Sequence, residues 1–131
     1  MKKTTTVSLI VLSFLLIVGC NYYGKEKNFN NLKLYYTSDI TEEEANSLGE
    51  YLLKLKLAEN EHRSFQIAKT GNTYEFRAPV KKGIEQDEEY GKKFKLIAKD
   101  LSVNVFNGSE VDFHACDDNL KTLRVFPMSS N

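Results

Sequence analysis

The chain has 131 residues, with 18 basic and 18 acidic side chains, seven tyrosines, eight phenylalanines, no tryptophan and two cysteines. That balance carries no polybasic footprint for nucleic acid, and the length suits one small domain with an aromatic core. One thiol is left once Cys20 is accounted for below, so an internal disulfide is excluded and stability rests on packing.

Residues 1–19 divide into a cationic start (Lys2, Lys3), an uncharged apolar run from Val7 to Val18, and the small residue Gly19. This is the layout of a secretory signal. The run falls short of the roughly 20 apolar residues that span a bilayer core, which makes an uncleaved membrane helix the weaker reading. Ile17-Val18-Gly19-Cys20 resembles the lipobox of bacterial lipoproteins. The resemblance implies that the Cys20 thiol receives diacylglycerol, that the chain is cut before Cys20, and that the new amino group is then acylated, for instance with palmitate. Two or three acyl chains, each contributing about 0.8 kcal/mol per buried methylene, make a lasting tether where one chain does not. The expected location is extracytoplasmic, on the bacterial cell membrane or the outer membrane. Asn21 favours the outer membrane, because it replaces the aspartate that retains many lipoproteins at the inner one.

Residues 1–19 hold two lysines and no acid, so the 112 residues from Cys20 carry 16 basic and 18 acidic groups, a formal net charge of −2. Residues 20–31 are polar and aperiodic, and are expected to be the lipidated cysteine and a spacer. Residues 32–131 are expected to form a single α+β domain.

Leu32 to Thr37 alternates as a strand does. Thr41-Glu42-Glu43-Glu44 then reads as a capping box, and Ala45, Leu48, Leu52 and Leu55 make one helical face as far as Glu59-Asn60-Glu61. Gly49 inside that helix signals a close contact. Ser64–Lys69 and Thr73–Ala78 form a hairpin around Gly71-Asn72, after which Pro79 leads the chain off the sheet. Asp87 caps a second helix with the stripe Tyr90, Phe94, Ile97, Ala98, Leu101 and Val105, and Asn107-Gly108 stops it. Glu110–Cys116 and Lys121–Phe126 form a last hairpin. The segments GNTYEFR, KKGIEQDEEYGKKFK, NVFNG and LKTLRV resemble those of small membrane-tethered bacterial domains, a likeness that brings no activity with it.

The order β-α-β-β-α-β-β predicts a two-layer α+β fold, with a ferredoxin-like sheet, an extra C-terminal strand and both helices on one face. Counting from the strand at Leu32, the strand order would be 2-3-1-4-5. Leu34, Tyr36, Phe65, Ile67, Tyr74, Phe76, Val111, Phe113, Leu123 and Val125 would point inward. The opposite face would carry Tyr35, Gln66, Glu75, Arg77, His114 and Arg124. Of these, Tyr35, Arg77, His114 and Arg124 form a candidate binding face for an anion or a peptide, set against the plainer reading of a solvated face with cross-strand ion pairs. On the second helix, Leu96, Val103 and Phe106 form a candidate docking ridge for an envelope protein, unless they tuck under a terminus.

His114 and Cys116 share a strand face, but two ligands two residues apart do not make a metal site, and His62 lies in another loop. No metal or other cofactor is expected. No catalytic residue is assigned either, because the acidic clusters coincide with helix starts and no phosphate loop, metal-binding helix or nucleophile elbow is present. The chain therefore reads as a lipid-anchored binding or accessory module of the cell envelope, with the membrane as one partner through Cys20. The alternative is a small-ligand or enzymatic domain using the open sheet face.

Overall fold

The computed structural model describes residues 22–129, so the signal segment and Cys20 lie outside the described residues. Six strands form one sheet: β1 (Lys25–Phe29), β2 (Leu32–Tyr36), β3 (Arg63–Thr70), β4 (Thr73–Pro79), β5 (Val111–Cys116) and β6 (Thr122–Pro127). Helix α1 (Glu42–Lys54) links β2 to β3, and α2 (Glu88–Asn104) links β4 to β5 after a short 3-10 turn at Ile84–Gln86. The fold is α+β, three antiparallel hairpins joined by two helical crossovers.

The strands lie side by side in chain order, with β2–β3 and β4–β5 parallel and the other pairs antiparallel. This corrects the expected ferredoxin-like order, in which a crossover skips a strand. Both helices cover one face. Tyr74 on β4 reaches Glu44 of α1, while Phe76 two residues on meets Phe113, which stacks on Phe94 of α2. The two parallel pairs point in opposite directions yet step the same way across the sheet. Helices on one face then require crossovers of opposite hand, so one of them is left-handed. The strong preference for right-handed crossovers is what favours the ferredoxin-like order on paper.

A second correction concerns the expected spacer, part of which is β1. Asn30, at φ 58, turns the chain back so that Phe29 pairs with Leu32. The ring of Phe29 lies where a Cβ on Gly49 would stand, so the close contact signalled by Gly49 is with this strand.

The helix ends are closed as their residue types dictate. Thr41 and Glu44 complete the capping box at 2.9 and 3.1 Å, and Asp87 accepts the amides of Glu89 and Tyr90. Asn107 takes φ 55, and the Gly108 amide donates to Ser102 O at 2.8 Å, ending α2. The core under the helices holds Leu32, Leu34, Phe65, Ile67, Phe76, Val111, Phe113 and Phe126 with Leu48, Leu52, Phe94 and Leu101.

In β6 the expected facing is reversed. Leu123 and Val125 are exposed, while Phe126 is buried opposite Phe113 and passes within 2.9 Å of the position of a Gly91 Cβ. The β5–β6 register shifts at Ala115/Cys116, where Arg124 opposes Ala115 but Thr122 opposes Cys116. The extra residue, Leu123, sends Thr122 to the open face and leaves Arg124 on the helix face.

Candidate functional site

Two places on the sheet merit attention, one on each face. The open face carries the cross-strand row Tyr35, Gln66, Arg77, His114 and Val125. Arg77 donates to Thr122 Oγ1 at 2.9 Å and lies 3.8 Å from Glu75. The His114 ring places Nδ1 3.0 Å from Thr122 Oγ1 and Nε2 3.5 Å from Glu75. Tyr35 rests against Tyr23, whose carbonyl accepts the Gln66 amide at 2.8 Å, so the arm preceding β1 lies across this end of the face.

Arg124, expected here, is on the opposite face instead. It donates to Glu85 O at 3.1 Å and spreads over the Phe126 ring. Thr122 is the member that strand alternation misses, because only the bulge brings it round.

The cluster is a partly satisfied polar network, in which Arg77 Nε and His114 Nε2 are buried without a hydrogen-bond partner. Burial, and after it the charge of Arg77, lowers the basicity of His114 below its usual 6.5, against the pull of Glu75. Burial pushes the Cys116 thiol up, away from a reactive thiolate, and its Sγ donates to the His114 carbonyl. Arg77 is already matched by Glu75. Among the described residues, no group of three or more His, Cys, Asp or Glu side chains is placed to hold a metal ion.

The expected docking ridge comes apart. Leu96 and Val103 are each 66% exposed, but Phe106 is buried and stacks on Tyr74 with ring centres 4.0 Å apart.

On the helix face, α1 packs over β1 and β2 while α2 packs over β5 and β6. The helices touch through Tyr51, whose hydroxyl donates to Asp100 at 2.8 Å. Toward the end of α1 and the start of α2 a gap lies over the middle of the sheet, whose residues there stay buried. A cleft of ≈ 390 Å³ opens there, within the range of small-ligand sites. Phe65, Phe76, Ala78 and Phe113 form its floor, Leu57, Ile84, Phe94 and Ile97 its walls, and Lys56, Arg63, Lys81 and Tyr90 also line it. Arg63 is paired with Glu61 at 2.6 Å. No carboxylate, histidine or thiol is among the lining residues.

Helical periodicity does not reveal this cleft, since it assigns Tyr90 and Ile97 to the packed stripe. The signal that was available is apolar residues in the connections outside the two α-helices, Leu57 after α1 and Val80 before α2, each beside a lysine, with Ile84 in the 3-10 turn. Among the described residues no helix is long and apolar enough to cross a membrane.

No curated protein and no solved structure matches the chain significantly. A family model does match over residues 27–126, a span that starts within β1 and ends at Phe126 in β6. It therefore takes in all three hairpins and both helices, and the chain belongs to the AF_1994_N family, as the family N-terminal domain.

Proposed function

We propose that the protein is an extracytoplasmic binding module of the cell envelope, tethered by lipid on Cys20, which takes a small ligand in the cleft between its two helices. The observation that carries the binding reading is the cleft itself, with its aromatic floor of Phe65, Phe76 and Phe113 and its volume of ≈ 390 Å³. An apolar cavity with a few polar groups at its edge is the usual form of a small-molecule site. The open sheet face is the weaker candidate, because Arg77 is matched by Glu75 and both Arg77 and His114 already contact Thr122.

The amino-terminal arm supports a particular orientation. Gly24 packs against Tyr36 at the C-terminal end of β2, whereas Arg63 and Pro79 place the cleft at the other end of the sheet. A tether at Cys20 therefore turns the cleft away from the bilayer.

A thermal-shift screen of a small-molecule panel tests the binding reading. Ligands that raise the melting temperature of the wild type and of Arg77→Ala, but not of Ile97→Trp, place the site in the cleft. Ligands lost with Arg77→Ala and kept with Ile97→Trp would move the site to the open face and refute this reading.

A further inference from the structure

From the residues around the cleft we infer that its ligand is a single-chain amphipathic anion, an alkyl carboxylate or phosphate taken as a free molecule. This inference rests on the reading of the cleft as the binding site.

The floor and walls are apolar throughout, and they are deep, with Phe76 and Phe113 almost fully buried. An alkyl chain gains free energy with each methylene moved from water onto such a surface. The charged residues that line the cleft are all cationic, with Glu59, Glu61 and Asp118 in the adjoining hollows. Lys56, Arg63 and Lys81 line it with no acid among the lining residues. Arg63 is neutralised by Glu61, but no described carboxylate lies within ion-pair distance of Lys56 or Lys81.

Lys56 is held where it is by the backbone. It takes φ 59 at the end of α1, and its amide donates to Leu53 O at 3.0 Å. Lys81 follows Val80, whose amide is fixed to Cys116 O at 2.9 Å. Two lysines on anchored backbone therefore line an apolar slot, an arrangement that matches a negative head on an apolar tail. A cationic amphiphile would meet like charge there, and a neutral one would leave both ammonium groups unused.

The test is calorimetric titration of the full lipid-anchored chain in phosphatidylcholine nanodiscs, with empty nanodiscs as the blank. Octanoate, octanol and octyltrimethylammonium are the probes, sharing one tail length and differing in head charge. The expected result is saturable octanoate binding, at least tenfold tighter than octanol, with no binding of the cation. Lys56→Glu/Lys81→Glu should weaken octanoate about tenfold and leave octanol unchanged. Ile97→Trp should abolish both, and Leu57→Trp, in the loop after α1, should do the same where the helix variant fails to fold.

Octanol binding as tight as octanoate would overturn the anion inference while leaving a binding cleft in place. Saturable binding of none of the three probes, or octanoate binding untouched by both tryptophan variants, would overturn the inference and the cleft reading together. Octanoate should bind equally in nanodiscs containing phosphatidylglycerol. A marked loss there would show that a bilayer lipid takes the cleft, and would overturn the free-molecule source.

Discussion

The Tyr74 hydroxyl donates to the Glu44 carboxylate, joining the middle of the sheet to the first turn of α1 across thirty residues of sequence. Burial, and then the hydrogen bond and charge of Glu44, push the Tyr74 phenol up to about 12. Burial also acts to raise Glu44, but the hydrogen bonds from Tyr74 and Thr41 outweigh it and hold the carboxyl below its usual value. Tyr74→Phe keeps the ring on Phe106 and removes only the hydroxyl, at a cost of about 1–2 kcal/mol in urea unfolding at neutral pH. A carboxyl with a lowered folded value contributes stability above its unfolded value and loses it as the pH falls. The penalty of Tyr74→Phe should therefore shrink below about pH 4.5. A penalty that does not change with pH would show that the carboxylate is not the acceptor.

Gly49 and Phe29 decide whether β1 belongs to the domain. On an isolated helix surface Gly49→Ala would stabilise by about 1 kcal/mol. Here the added methyl would overlap the Phe29 ring, so the variant should lose about 1–3 kcal/mol. In the Phe29→Ala background the same change should recover part of that loss. A stabilising Gly49→Ala in the wild type would mean that residues 25–29 do not pack on α1.

The facing of β6 is tested by a pair of neighbours. Phe126→Ala removes a ring packed on Phe94 and against Gly91, and should cost about 3–5 kcal/mol. Val125→Thr on the open face should stay within about 0.5 kcal/mol. The reverse ranking would restore the inward placement of Val125.

His114 gives a pH signature. Arg77 and Glu75 on β4, Thr122 and Val125 on β6 and Cys116 on its own strand surround it. Its folded value lies below 6.5, so the unfolded chain binds the proton more readily. The corresponding stability is present above about pH 6.5 and is lost as the pH falls from there through the folded value. His114→Asn should flatten the fall in unfolding midpoint between pH 7.5 and 5. Parallel profiles for wild type and variant would contradict this.

The local elements were legible in the sequence because each has a local cause: the capping box at Thr41–Glu44, the Asp87 cap, the stop at Asn107-Gly108 and the turn at Gly71. The arrangement of the sheet was not. The order of strands depends on the hand of a crossover, which no residue pattern encodes, and the usual rule favours the wrong answer here. Lys25–Phe29 was unreadable as a strand because one residue in five is apolar, as suits an edge strand exposed to water. In Thr122–Pro127 two alternations compete, Leu123 with Val125 and Arg124 with Phe126. The larger ring takes the core, its neighbour Arg124 covers it, and the bulge carries Thr122 away. The cleft was hidden for a related reason. Periodicity reports that Phe94 and Ile97 face inward, but not that a cleft lies between the two helices over Phe65 and Phe76.

Intact-mass analysis of the protein purified from bacterial membranes, beside a Cys20→Ala variant, addresses the proposed tether most directly. The predicted mass is that of residues 20–131 plus diacylglycerol, with or without a further acyl chain, and the variant should lack the lipid. A full-length, unmodified wild-type mass would contradict the tether.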